Sequence, residues 1–224
     1  MDINSLRVEF HCHTIYSKDS LVTADKLLET CRKKGIDRIV VTDHNTTAGA
    51  FHAQNIDTQR VIVGEEILTQ KGELLAAFVK EEIPRGLTPL ETIDILRDQG
   101  AFISVSHPFD QMRRGHWQTP DLLEILPLVD AIEVFNARCM SADYNKQAQN
   151  FAQKHEVEGT VGSDAHSAFE IGRAAMILPE FEDADSLKEA LPKAQFETTL
   201  SSPLVHFTSR YAVWYKMLFK PEVP

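Results

Sequence analysis

Five short runs rich in valine and isoleucine each hand over, at or near their C-terminal end, to a histidine or a carboxylate. They lead into His11-Cys12-His13, Thr42-Asp43-His44, Gly64-Glu65-Glu66, Ser106-His107-Pro108 and Gly162-Ser163-Asp164-Ala165-His166. In a βα barrel the strand C-termini open onto one rim, so groups far apart in sequence meet there. Alternation along a strand puts His11 and His13 on one face and Cys12 on the other. A crowd of buried imidazoles and carboxylates needs partners, and metal ions supply them all at once. Imidazole suits zinc, iron or manganese, and carboxylates that bridge two ions suit a multinuclear hydrolytic centre.

Between these runs lie helical stretches with start and stop signals. Thr23 is an N-cap, Ala24, Leu27, Leu28 and Cys31 form an apolar stripe, and Gly35 takes the left-handed stop. Thr88, Pro89 and Glu91 form a capping box with proline at the first helical position, and that helix ends at Gly100. Strands are expected over 8–13, 39–42, 61–67, 74–79, 101–106, 131–135, 159–162 and 174–178. Further helices are expected over 120–126, 142–155, 186–191 and 209–219. The alternation predicts an α/β fold with a mostly parallel sheet, closed as a distorted seven-stranded (β/α)7 TIM-like barrel with the metal site at the C-terminal rim of the strands. A chain of 224 residues fits one domain over 1–224, with its core at about 8–200 and a terminal helix at about 209–219 packing on the barrel.

Composition narrows the partners. Thirty-three acidic against 23 basic residues give a net charge of −10, which repels a nucleic-acid backbone. No apolar run approaches the roughly 20 residues of a membrane helix, and no leader is read before His11. Three scattered cysteines, Cys12, Cys31 and Cys139, predict a reducing, cytoplasmic setting. With neither a dinucleotide fingerprint nor a P-loop, no bound nucleotide cofactor is implied.

Taken together, His11-Cys12-His13-Thr14, Ser17, Thr42-Asp43-His44-Asn45-Thr46, Gly64-Glu65-Glu66, Ser106-His107-Pro108 and Gly162-Ser163-Asp164-Ala165-His166 resemble the PHP family, the polymerase and histidinol phosphatase domain. The resemblance covers residues from about 8 to about 178. It implies a distorted seven-stranded barrel with two or three divalent ions. One ion would be held by His11, His13, Glu66 and Asp164, with Glu66 bridging, and a second by Asp19, His44 and His166. The third would share Glu66 with His107 and with Glu73, which stands where the family commonly has another histidine. Glutamate is the harder ligand, so that site is expected to prefer manganese or magnesium. The loop Ser17-Lys18-Asp19-Ser20 is one residue longer than the Ser-Asp-Gly of many relatives, and Asp19 keeps an offset from His13 that carries a ligand in other branches.

A phosphoester hydrolase also needs cationic groups for the phosphoryl oxygens. Arg113 and Arg114 follow the His107 strand end, and Asn136 and Arg138 follow the 131–135 strand. All four are candidates for substrate binding, Arg138 foremost. The expected reaction is hydrolysis of a small phosphomonoester, such as a nucleotide or a sugar or amino-alcohol phosphate, by hydroxide held at a di- or trinuclear centre of zinc, manganese, iron or magnesium. Asp43 would orient the ligands, and His107, Arg138 and Asp164 would serve the chemistry. His107, His116, beside Trp117, or a metal-bound water could deliver a proton to the leaving group, whereas His52, His155 and His206 read as structural. Three alternatives stand beside this reading: an exonuclease or phosphodiesterase on short nucleic acid, a non-catalytic metal-binding module, and a C–N hydrolase of the amidohydrolase type. The last is disfavoured because no strand end supplies its usual lysine. Oligomeric state is not legible.

Overall fold

The computed structural model describes residues 5–220, so residues 1–4, where the absence of a leader is read, and 221–224 lie outside it. Among the described residues nine strands form one mixed sheet: β1 (Ser5–Cys12), β2 (Arg38–Val41), β3 (Val61–Leu68), β4 (Glu73–Ala77), β5 (Phe102–Val105), β6 (Ala131–Asn136), β7 (Glu158–Gly162), β8 (Ala174–Pro179) and β9 (Gln195–Thr198). The order is β7-β6-β5-β4-β3-β2-β1-β8-β9. Seven α-helices among the described residues accompany it: α1 (Ala24–Lys34), α2 (Ala48–Ile56), α3 (Pro89–Asp98), α4 (Thr119–Ile125), α5 (Ala142–His155), α6 (Ala184–Ala190) and α7 (Val205–Phe219).

Strand β1 explains how seven strands become a nearly closed barrel although nine are present. Its first half, Ser5 to Val8, pairs antiparallel with β8, which carries β9 on its far side. Its last residues turn instead to the segment leaving β7. There Ala165 N–H donates to the His11 carbonyl at 3.3 Å and His13 N–H donates to the Ala165 carbonyl at 2.8 Å. Strands β1 to β7 therefore make the ring, and β8 and β9 form a flap on its first strand.

The sheet is less parallel than the alternation predicts. Strand β4 runs antiparallel to both β3 and β5. Four residues join β3 to β4, far fewer than a parallel crossover needs, and Thr69 closes them as a turn by donating its hydroxyl to the Gly72 carbonyl at 2.6 Å. One consequence concerns the site. An antiparallel strand presents its first residue, not its last, to the rim, and the first residue of β4 is Glu73.

Local signals set the helices. Thr23 accepts from Lys26 N–H to start α1, which ends at Gly35 with φ 64°. The Thr88–Glu91 capping box starts α3. Two elements were not expected, α2 and β9. Helix α2 begins at Thr47 without a side-chain cap, and all four residues of β9 are exposed. Helix α7 starts four residues before the expected 209. The core lies between helices and sheet, where Phe10 meets Phe102 edge to face at 5.5 Å.

Candidate metal centre

All the histidines and carboxylates read as ligands gather at one rim. His11 Nε2 and His13 Nε2 are 3.2 Å apart. Glu66 stands among four imidazoles: its Oε1 lies 3.1 Å from His107 Nε2 and 3.4 Å from His11 Nε2, and its Oε2 lies 2.8 Å from His44 Nδ1 and 3.5 Å from His13 Nε2. Asp164 Oδ1 is 3.2 Å from His13 Nε2 and 3.4 Å from His166 Nδ1. Asp19 spans His44 at 3.6 Å and His166 at 3.4 Å. Glu73 Oε2 approaches His107 Nε2 at 3.6 Å.

Buried carboxylate oxygens normally accept hydrogen bonds. Here Glu66 Oε2, Asp164 Oδ1 and Asp19 Oδ1 are buried without a hydrogen-bond donor. Three sets of groups lie close enough to hold one ion each: His13, His44 and His166; His11, His13 and Glu66; and His44, Glu66 and Glu73. Orphaned oxygens facing convergent imidazoles are the donor set a cluster of divalent cations requires. The residues present fit such ions.

The electrostatics point the same way. Burial alone would lower the pKa of His11, but Asp164, Glu66 and Glu133 outweigh it and hold the ring well above its usual range. His44, only partly buried, is likewise raised, by Glu66 and Asp19. Burial would raise Glu66 and Asp164, yet His11 and His44 hold Glu66 well down, and Arg113 and His11 hold Asp164 down. Burial and the neighbouring Glu66 raise Glu73 instead. Without cations the centre is an overcrowded set of like and unlike charges.

Supporting residues fix the ligands. Asp43, just before His44, accepts from Thr14 N–H at 2.7 Å, the Thr14 hydroxyl at 2.5 Å, Ser17 N–H at 3.1 Å and the Ser17 hydroxyl at 2.5 Å. It therefore holds the loop that carries His13 and Asp19. The Ser17 hydroxyl also lies 3.1 Å from His13 Nδ1. Glu133 on β6, a residue not singled out in the sequence, orients His11 through Nδ1 at 3.0 Å and accepts His107 N–H at 2.8 Å. A lone acid inside the apolar run 131–135 was its signal. The close approach of β7 to β1 demands Gly162, where a Cβ would collide with the His11 side chain.

The candidate substrate-binding residues are placed differently from one another. Arg114 is exposed at the mouth. Arg113 forms ion pairs with Asp164 and, at 3.2 Å, with Asp110. Asn136 donates to Glu133 at 3.1 Å and to Asp164 at 3.2 Å. Arg138 is buried, pairs with Glu170 at 3.3 Å and donates to Ser209 Oγ of α7 at 2.8 Å and to the Val205 carbonyl at 3.3 Å. Asn136 thus serves the scaffold, while Arg113, Arg114 and the scaffold-held Arg138 border a cavity of about 940 Å³ over the cluster, together with Asp19, His44, Glu73 and His166. His206, read as structural, also borders it. His116 Nδ1 lies 2.7 Å from the Arg113 carbonyl. His52 lies beside the Tyr16 hydroxyl, and His155 packs against Phe151 with the two rings tilted. Cys12 is buried behind the site, its thiol donating to the Val40 carbonyl at 3.3 Å. No helix among the described residues is long and apolar enough to cross a membrane.

Comparison with known proteins gives a consistent picture. Residues 9–96 match the family described as PHP domain, and residues 142–196 match the one described as PHP-associated. An uncharacterised protein of Methanocaldococcus jannaschii is 38% identical over 200 residues, covering 86% of this chain and 81% of its own length. Among solved structures, PsfC from Pseudomonas syringae superposes with a TM-score of 0.69 at 18% identity, over 94% of this chain and 98% of its own. A Bifidobacterium adolescentis protein, provisionally named a metal-dependent phosphoesterase, gives 0.61 at 18% identity over 83% and 96%. The lesion-specific endonuclease PfuEndoQ from Pyrococcus furiosus gives 0.58 at 14% over 86% and 57%. At these identities the structural likenesses speak for the fold.

Proposed function

This chain belongs to the PHP family, and from that premise we propose that it is a metal-dependent phosphoesterase that removes phosphate from a small phosphomonoester, a nucleotide or a sugar or amino-alcohol phosphate. One observation carries the reading: three buried carboxylate oxygens, on Asp19, Glu66 and Asp164, lack hydrogen-bond donors while the four imidazoles of His11, His13, His44 and His166 converge on them. His11, His13, Glu66 and Asp164 would hold one divalent ion, Asp19, His44 and His166 a second, and His107 and Glu73 with Glu66 a third. Bound there, zinc, manganese, iron or magnesium ions would activate water for attack and neutralise charge on the phosphoryl oxygens.

The protein's own groups have separate tasks. Arg113, paired with Asp164, keeps that carboxylate ionised and ready to ligate. Arg113 also borders the cavity beside the cluster, where a guanidinium group is suited to phosphoryl oxygens. Asp43 keeps the His13–Asp19 loop in place, and Glu133 fixes the ring of His11 so that Nε2 faces the centre. Three unpaired, buried thiols accord with a cytoplasmic setting.

The test joins elemental analysis of the purified protein to a phosphate-release screen. Nucleotides, sugar phosphates and histidinol phosphate are offered with Mn²⁺, Zn²⁺ or Mg²⁺, beside a 3′-labelled oligonucleotide. Metal content with release from a small ester, lost in Asp164→Asn, supports the reading. Fully metallated protein that releases no phosphate, or that acts on the oligonucleotide alone, sinks it.

A further inference from the structure

The cavity mouth reverses the charge balance of the chain. Overall the sequence has 33 acidic and 23 basic residues, yet six lysines and arginines border the cavity beside four acids. Those acids have other duties. Asp19 and Glu73 belong to the metal cluster, Asp110 pairs with Arg113, and Glu82 accepts Thr47 N–H at 3.3 Å. Among the cations, Arg113 and Arg138 are held inside the scaffold. That leaves Lys18, Arg85, Arg114 and Arg210, all exposed, and no side-chain ion pair or hydrogen bond joins them to other described residues.

These four come from four separate places: the Asp19 loop, the segment after β4, the loop after β5, and α7. Single unpaired surface cations are ordinary. Four of them converging on one cavity, in a chain with a surplus of ten negative charges, form a local positive field directed at the metal centre. One phosphoryl group bound at the metals would already be neutralised there, so the outer cations serve a different anion.

We propose that Lys18, Arg85, Arg114 and Arg210 form an outer subsite for a second anionic group, a phosphate or carboxylate, on the substrate whose phosphoester is cut at the metals. The proposal rests on the phosphoesterase reading and adds the substrate class: small molecules with two separated anions. Lys18 and Arg85 lie within the family-matched stretch 9–96, whereas Arg114 and Arg210 lie outside both matched stretches. Helix α7 is fastened to the barrel through Arg138 and through Lys216, which presents Arg210 on a fixed support.

The experiment uses the metal-loaded protein and matched substrate pairs that differ by one anion: fructose 6-phosphate against fructose 1,6-bisphosphate, and glycerol 2-phosphate against 2-phosphoglycerate. Wild type should show the higher kcat/KM on the doubly anionic member. Arg210→Ala should reduce that preference by about tenfold, chiefly through KM, as the loss of one charged hydrogen bond predicts. Arg85→Ala, on an independent segment, should act in the same direction, so a local disturbance of α7 cannot mimic the result. Equal kcat/KM within each pair, or a preference unmoved by both variants, overturns the subsite. If no substrate releases phosphate, the hydrolase reading fails and thermal shift decides the subsite alone. A larger Tm rise with the bisphosphate than with the monophosphate, abolished in Arg210→Ala, supports it, and equal rises overturn it.

Discussion

Lys216, near the end of the last helix, donates its ammonium to the Ser17 carbonyl at 2.6 Å across 199 residues of sequence, and it donates to the Ile15 carbonyl as well. Ser17 in turn touches His13 and accepts His44 N–H at 3.1 Å. The C-terminal helix is thereby tied to the loop that presents Asp19. Removing the ammonium frees two carbonyls and the loop with them. Lys216→Met should weaken the ion assigned to Asp19, His44 and His166 by roughly 10- to 100-fold, the usual effect of losing a group that orients ligands. Titration of metal-free protein with Zn²⁺ or Mn²⁺, with circular dichroism as the control for folding, checks it. Equal weakening at every site would refute this division of labour.

Asp43 shows how a motif residue can matter without touching the chemistry. Its two oxygens accept four hydrogen bonds from Thr14 and Ser17. An amide there offers one acceptor oxygen where two are needed and aims N–H groups at donors. Asp43→Asn should destabilise the metal-free protein by about 1–3 kcal/mol, the cost of leaving buried polar groups unsatisfied. Urea denaturation measures this, and an unchanged midpoint would contradict the role.

How much of this could be read in advance varies with the physics behind each element. His11, His13, His44, His107, Asp164 and His166 were legible because strand ends of a barrel share a rim, whatever the details of packing. The reversal of β4 was legible in principle, since four residues cannot make a crossover, but strand composition alone conceals direction. Strand β9 has no apolar run to mark it, its four residues all being exposed. Glu133 was hidden because one acid in a buried strand looks the same whether it orients a histidine or pairs elsewhere. Arg138 illustrates the converse limit: position after a strand end brought it to the site, but only the arrival of α7 shows that Ser209 and Val205 occupy its guanidinium.

Glu73 offers a test confined to the third site. A Cβ added to Gly115 would fall on the Glu73 carboxylate, with no room beside the backbone that pairs Glu73 N–H to the Gly115 carbonyl at 3.0 Å. Gly115→Ala should therefore push Glu73 from His107 and lower occupancy at that site, leaving the ions at His11–His13 and at Asp19–His166 in place. Anomalous scattering from Mn²⁺-soaked crystals would show it, and three sites of equal occupancy would count against Glu73 as a ligand.

Metal removal should change the sign of the pH dependence. In the metal-free protein His11 and His44 have raised pKa values, against their burial, because Asp164, Glu66 and Asp19 face them. A raised folded value stabilises fully below the unfolded pKa, about 6.5 for histidine, and that contribution is lost as pH climbs through the raised values. Depressed carboxylates act in the acidic range: Glu66 and Asp164 stabilise above the unfolded value, near 4, and lose that contribution as pH falls. His13, held low by burial and by His166 and His44, opposes folding below about 6.5. Metal-free protein should consequently lose stability on going from neutral to alkaline pH. Ion binding requires those imidazoles to be neutral, so it expels their protons and strengthens with pH. The Tm difference between metal-loaded and metal-free protein should widen steadily from about pH 6 to about pH 8, and calorimetry in matched buffers measures it. A constant or narrowing difference would mean that His11 and His44 are not where the ions bind.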